Sequence, residues 1–474
     1  MTRKIVIEPA TRIEGHGKVT IHLNDKGNVD TARLHITQVR GFEKFCEGRL
    51  FWEMPVITTR ICGICSVSHN LASAKAGDMI LGVELTPTAK MLRRLIHMAQ
   101  CVQSHALHFF YLASPDLLFG MDADPAKRNI MGIIAEMPEV AQKGVGLRAF
   151  GQKIIAELGD TRIHPNAAVP GGMNKALSIE KRDEILRQVD GIVADCKFAV
   201  DLIKNYCSEN REMADSFANL TTGYLGLVDG NGNVEYYDGK LRLKESQGIT
   251  LEDDVVPENY LSIIEEKVED WSYLKFPYYK KLEYPSGIYR VGPLGRLNVA
   301  DGCTTPLANK EFTEFKQLNS NGIVTGSLYF HYARMIEMLN CAEEIKSLVQ
   351  NELICSKGIW VNSNNINEEG IGVIEAPRGT LIHHYWVDAS GKISKVNLIV
   401  ATGHNNLAIN RAVYEVAREF IKDGKVSEGI LNRVEVAIRC YDPCFSCSTH
   451  ALGQMPLEIT IYESDGSIRQ VLRS

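Results

Sequence analysis

The chain carries two C-x-x-C pairs near its opposite ends, Cys62-Gly63-Ile64-Cys65 and Cys444-Phe445-Ser446-Cys447, each followed by a histidine, His69 and His450. Two thiolates rarely complete a metal site, whereas two pairs supply the four soft ligands that such sites use. Read as one site, they demand a fold that closes on itself across 382 residues. The other eight cysteines, Cys46, Cys101, Cys196, Cys207, Cys303, Cys341, Cys355 and Cys440, stand singly and read as packing residues.

Composition adds exclusions. Hydrophobic residues at 45% and charged residues at 23% are those of a globular protein. A net charge of -6 with both signs interspersed offers no basic stripe for nucleic acid. Ile5-Val6-Ile7 is too short an apolar run for a signal peptide, and no stretch of about 18 apolar residues occurs, so no membrane span and a cytoplasmic location are expected. Twelve cysteines in 474 residues are too dilute for a disulfide scaffold, and clustered cysteines in a reducing compartment bind metal or do redox chemistry.

Local patterns predict strands at Lys4 to Glu8, Lys18 to Leu23 and Ala32 to Val39, the last two joined by the hairpin turn Asn24 to Asn28. Helices are expected from Cys65 to about Leu81, from Thr88 to Leu112, within Pro125 to Glu157, and from Ser178 to Met213. Strand alternation marks 222 to 243, and helices return at 308 to 319 and 327 to 350. Strands at Gly372 to Glu375, Thr380 to Val387 and Ile393 to Val400 follow, then helices over 406 to 422 and 427 to 440. The tail from Ala451 reads as a hairpin, Leu457 to Tyr462 with Ile468 to Val471. No linker divides the chain, so residues 1–450 are taken as one domain and 451–474 as an extension.

The cysteine pairs by themselves leave several readings open. They could be independent redox pairs, a structural zinc site or iron-sulfur ligands. Glu14, likewise, could be a loop carboxylate paired with Arg12. The chain also holds Thr11-Arg12-Ile13-Glu14-Gly15-His16, Arg40-Gly41-Phe42-Glu43, Arg162-Ile163-His164-Pro165, Pro170-Gly171-Gly172, Val291-Gly292-Pro293-Leu294 and Glu375-Ala376-Pro377-Arg378-Gly379. With the cysteine pairs, this ordered set resembles the large subunit of nickel-iron hydrogenases over nearly the whole chain. Gln103-Ser104-His105-Ala106-Leu107-His108-Phe109-Phe110-Tyr111 and Ala451 to Leu457 are most similar to the soluble, NAD(P)-linked bidirectional members.

The resemblance implies an α/β (α+β), helix-rich fold, a central helical bundle with small peripheral β-sheets. It implies nickel held by Cys62, Cys65, Cys444 and Cys447, with Cys65 and Cys447 shared with an iron that carries carbon monoxide and cyanide. Cys444 becomes the first proton acceptor and Glu14 its relay. That relay needs partial burial, because an exposed Glu near pKa ~4.3 is a poor base at neutral pH. Arg378 and Thr402 are implied as cyanide donors, His69 as a donor to a bridging sulfur, Asp442 as an orienting group, and Glu43 with His450 as magnesium ligands. Ser104 stands where membrane-bound and periplasmic members usually carry Asp.

In the family an endopeptidase cuts after the residue that is His450 here, which makes His450-Ala451 the processing bond and the chain a precursor. The tail is expected to keep Cys444 and Cys447 mobile until nickel arrives. Implied partners are a small subunit with iron-sulfur clusters, diaphorase subunits with FMN and NAD(P), the endopeptidase and nickel-insertion chaperones. The chain itself is not expected to bind nicotinamide, since Gly144-Val145-Gly146-Leu147-Arg148-Ala149 fits a dinucleotide fingerprint by spacing only. The implied reaction is reversible heterolytic splitting of H2. The alternative is a non-catalytic scaffold, zinc-stapled or like the related complex I subunit.

Overall fold

The structure, a computed structural model, describes residues 3–451, 458–463, 465 and 467–473. An antiparallel sheet opens it, with β1 (Arg3–Ile7), β2 (Gly17–Leu23) and β3 (Val29–Ile36) in that order. The β2–β3 turn closes through Gly27 N to Asn24 O at 2.9 Å, as the turn residues predict.

After the first cysteine pair come α1 (Ser66–Leu81) and α2 (Pro87–Ala106). Thr86 caps α2 by accepting from Ala89 N, and Pro87 follows at the first helical position, where its missing N–H costs nothing. Beyond Ala106 the helix widens into a π-helical stretch, Leu107–Ala113. The expected helix to Leu112 is present in extent, but its last turns carry the wider hydrogen bonding that often accompanies functional sites. The helical region 125 to 157 breaks at Met137-Pro138, and α3 (Pro138–Gly159) begins there. Gly144 to Ala149 lie inside α3. The long α4 (Ile179–Glu209) follows.

A four-stranded sheet interrupts the helices. Its order is β7 (Tyr289–Arg290), β4 (Gly223–Val228), β5 (Lys240–Lys244), β6 (Thr250–Val255). Next come α5 (Pro293–Val299) and α6 (Tyr329–Gln350). Helices α2, α3, α4 and α6 form the bundle, with α2 against both α3 and α6, and α6 against α4.

A further antiparallel sheet, β8 (Glu369–Ala376), β9 (Gly379–Val387) and β10 (Ile393–Ile399), has its first two strands buried. Pro377-Arg378 form the tight turn between β8 and β9, so the expected corner is a hairpin tip. Helix α1 lies on β8 because Gly370 and Gly372 let it: a Cβ on Gly372 would stand 2.0 Å from Ala72 O. Helix α7 (Ala401–Phe420) starts five residues before the expected 406, and α8 (Glu428–Cys440) delivers the second cysteine pair. The first turn of α7 is polar yet buried, with His404 on Tyr289 Oη at 2.6 Å and Asn405 Oδ1 accepting from Val291 N. Past Ala451, Glu458–Tyr462 and Ile468–Arg473 pair as the expected hairpin, while Leu452 to Leu457, Ser464 and Gly466 lie outside the described residues.

Candidate metal centre

Each cysteine pair is held by elements distant in sequence. Cys62 follows the tight turn Thr59–Ile61, and Cys65 stands at the N-terminus of α1. Between them Ile64 O accepts from Gln100 Nε2 (2.8 Å) and Gln103 Nε2 (3.2 Å) of α2, and His164 Nδ1 bonds Thr59 O at 2.8 Å. The second pair enters through Asp442 at φ 51°, a left-handed conformation that Asp tolerates better than most residues. Cys444 then precedes, and Cys447 lies in, the short helix Phe445–Ser448. Arg40 joins the two ends. Its guanidinium donates to Ile61 O (2.6 Å) and Arg60 O (2.8 Å), while its own N–H donates to Thr449 O.

The result is a buried cluster in which the four sulfurs all lie within 4.8 Å of one another. The separations are 3.3 Å for Cys62–Cys444, 3.1 Å for Cys65–Cys447 and 2.8 Å for Cys444–Cys447. These are too long for disulfides, whose sulfurs sit about 2.05 Å apart, and all four cysteines are free. Hydrogen bonds from Cys444, and then from Cys447 and Cys65, push Cys62 well below its ordinary pKa, whereas burial raises Cys444 and Cys447. Such a group charges fully only when a cation shares it.

Beside the sulfurs is a cavity of ≈ 20 Å³, lined by Cys65, Cys444, Cys447, His69, Arg378, Thr402 and apolar side chains. Arg378 donates Nη1 to Ser104 Oγ (3.3 Å) and Nη2 to Asp442 Oδ1 (3.0 Å). Its buried Nε–H has no partner among the described residues. Asp442 and the nearby sulfurs keep Arg378 charged against its burial. Burial works against ionising Asp442, but Arg378 and His108 outweigh it and bring the carboxyl to about 2. Burial lowers His108 to about 4 although its Nδ1 lies 2.9 Å from Asp442. Thr402 Oγ1 accepts from Cys444 N, which leaves its hydroxyl proton to give. The residues therefore fit a nickel-iron pair: soft sulfurs for both metals, room beside Cys65 and Cys447, and an unpartnered N–H on an arginine that lines that room. A closed zinc site uses its four thiolates and needs neither the cavity nor the donor.

Glu14 is half-buried beside the second pair. Its carboxylate accepts from Ser446 N (3.1 Å) and Ser446 Oγ, and its carbonyl accepts from Phe445 N. Arg12 pairs with Asp116 and with Leu112 O of the π-helical stretch, not with Glu14. Gly15, at φ 87°, lets the loop lie on Phe445, since a Cβ there would stand 2.7 Å from Phe445 Cβ. His69 Nε2 lies 3.4 Å from Cys447 Sγ, and burial lowers this imidazole to about 4. Glu43 and His450 are bonded directly, Nδ1 to Oε1 at 3.1 Å, and Leu398 N also donates to Glu43. Burial would raise Glu43, but His450 and then Lys275 hold it below the usual carboxylate range. Arg378, Thr402, Asp442, His69 and Glu14 thus surround the sulfurs, while Glu43 and His450 form a separate contact at the end of the second segment.

Several neighbours went unassigned in the sequence: Ser446 under Glu14, His108 on Asp442, and His383 with Tyr385 behind His69. The last two were legible in principle, because polar rings inside a strand as apolar as β9 must be bonded there.

A family model described as nickel-dependent hydrogenase matches residues 40–139 and 228–450, and a HoxL-like model matches 4–39. The chain is 44% identical to the NAD-reducing hydrogenase HoxS subunit beta of Cupriavidus necator, over 99% of both chains. It is 43% identical to the corresponding chain of the vhc F420-non-reducing hydrogenase of Methanococcus voltae, over 98% of both. A crystal structure of an NAD+-reducing [NiFe]-hydrogenase in the H2-reduced state superposes with a TM-score of 0.92 at 46% identity, covering 95% of this chain and all of that one. Sulfur cluster, cavity, fold and full-length similarity agree, and the chain belongs to the nickel-dependent hydrogenase family, as a catalytic large subunit.

Proposed function

We propose that this chain catalyses H2 ⇌ 2 H+ + 2 e− at the four-sulfur cluster and passes the electrons, through the iron-sulfur clusters of a small subunit, to a diaphorase with FMN and thence to NAD(P). The observation that carries it is the buried donor of Arg378 over a cavity beside Cys65 and Cys447. Cys62, Cys65, Cys444 and Cys447 would hold nickel, and Cys65 with Cys447 the iron that carries carbon monoxide and cyanide. A nickel-iron pair bound there supplies the redox and Lewis-acid chemistry that polarises H2.

The chain's own residues do the rest. Arg378 presents fixed positive charge in a buried site, where charge counts for more. Asp442 and Ser104 aim it. Cys444 Sγ takes the proton, and the Glu14 carboxylate relays it from a position fixed by Ser446. Glu43 and His450, already in contact, are the residues to which magnesium would bind, a hard cation that suits the carboxylate. No helix among the described residues is long and apolar enough to cross a membrane.

We also infer that residues 451–474 are removed in maturation, which brings in an endopeptidase and nickel-insertion chaperones. The solved relative is matched over its full length by 95% of this chain, and the missing share is the size of the segment after His450.

Infrared spectra of the anaerobically purified complex, with metal analysis, test the whole reading. Carbon monoxide and cyanide stretches with nickel and iron in equal amounts are expected. Zinc without those bands, in chain ending at His450, would leave the scaffold alternative in place.

A further inference from the structure

Behind the sulfur cluster runs a row of hydrogen bonds of which the roles above use only the first, from His69. It passes from Cys447 Sγ to His69 Nε2 (3.4 Å), from His69 Nδ1 to His383 Nε2 (3.0 Å), from His383 Nδ1 to Tyr385 Oη (2.6 Å), and from there to Ser73 Oγ (3.0 Å). Two elements supply it in register. His69 and Ser73 are four residues apart on α1, and His383 and Tyr385 are two apart on β9, so each pair shares a face. All four are at most 1% exposed, and the row ends inside the protein at Ser73. It is therefore not a route for protons to solvent.

Its chemistry is set by counting donors. A neutral imidazole has one N–H and one bare nitrogen. A thiol at Cys447 would let the row run in either direction, but a metal-bound thiolate can only accept. His69 must then donate through Nε2, which leaves Nδ1 bare to accept from His383 Nε2–H. His383 Nδ1 is then bare in turn and accepts from the Tyr385 hydroxyl, which turns its proton from Ser73 Oγ to the ring and takes a hydrogen bond from the Ser73 hydroxyl in return. One polarity remains, with Ser73 at its head and Tyr385 the donor that sets the tautomer of His383.

We propose that His383 and Tyr385 are positioning residues that hold His69 in its Nε2–H tautomer, so that the shared sulfur of Cys447 receives a hydrogen bond throughout turnover. The role rests on the metal centre proposed above. A hydrogen bond to that sulfur withdraws charge from it and hence from the iron that shares it. Each partner beyond the sulfur matters because it decides which nitrogen of the next ring carries the proton.

The test is the infrared spectrum of the intact complex carrying Tyr385→Phe, which keeps the ring and removes the hydroxyl that donates to His383. The carbon monoxide band should move to lower wavenumber. His69→Ala should move it the same way at least as far, and the double variant no further than His69→Ala alone. Bands unmoved in Tyr385→Phe, or a double shift equal to the sum of the singles, would overturn the proposal. If Tyr385→Phe arrives without nickel, His383→Gln and His383→Leu decide. Gln can offer an N–H to His69 and should keep the band near its original place, whereas Leu should displace it; equal positions would overturn the role. Absence of the bands from the unaltered complex would overturn the metal centre, and the row's function with it.

Discussion

Glu14 and Arg378 are defined by what their neighbours leave free. Ser446 fixes the Glu14 carboxylate from two directions beside Cys444, and Arg12, which could have neutralised it, is spent on Asp116. Replacing Glu14 by Gln preserves the shape and removes the base. Turnover should fall by ~10²–10⁴, the usual worth of a positioned acid or base, while nickel, iron and the infrared bands stay unchanged. Turnover within a few-fold of the original would remove Glu14 from the proton route. At Arg378 the informative change is to Lys, which keeps a charge but not the fork. The cyanide bands should shift and activity should drop at least tenfold, with metals retained; unchanged bands would mean the guanidinium does not touch the ligand. The four cysteines were legible as residues because thiols are scarce and their spacing is rigid. Ser446 was not, since a serine announces a role only through the partner it meets, here hundreds of residues away, and for His383 and Tyr385 the strand pattern says only that they are bonded, not to what.

The elements that set these distances were legible to the degree that they are amphipathic. Helix α2 has an apolar stripe, and its cap and first Pro mark its start. Helix α7 hid its first turn, because His404 and Asn405 are buried polar residues satisfied by Tyr289 and Val291, and no hydrophobic pattern records that. The packing of α1 on β8 was invisible for a different reason. It depends on glycines that admit a backbone rather than on side chains that attract one. Gly372→Ala puts a methyl group 2.0 Å from Ala72 O and should destabilise the protein by about 2 kcal/mol or more, as overpacked cores do. Since α1 carries Cys65 and His69 at its start, nickel content should fall along with the melting temperature. A variant with unchanged Tm and full nickel would show that α1 can ride further from the sheet without disturbing the cluster.

At the scale of the whole molecule, the chain's two ends meet around the segment Asp442 to Ala451, and that bears on how the chain would be cut. The tail is expected to keep Cys444 and Cys447 mobile until nickel arrives, and the arrangement here is the closed one. With Ala451 still attached to His450, the four sulfurs already lie together, and those two residues are only 5% and 4% exposed. An endopeptidase needs an extended, accessible segment, so cutting at His450-Ala451 requires residues near 450 to leave their seat first. That seat is made in part by Arg40, whose guanidinium grips Ile61 O and Arg60 O while its backbone holds Thr449. When opening and closing are fast relative to cleavage, the rate tracks the population of the open form. Arg40→Ala removes two charge-assisted hydrogen bonds, worth about 1.5–3 kcal/mol each at most. At a fixed amount of endopeptidase, the metal-loaded uncut variant should therefore be cut about tenfold faster or more than the unaltered chain, followed by the mass of the product ending at His450. An equal or slower rate would mean that the bond is reached without unseating the segment, and that the enzyme recognises the closed site itself.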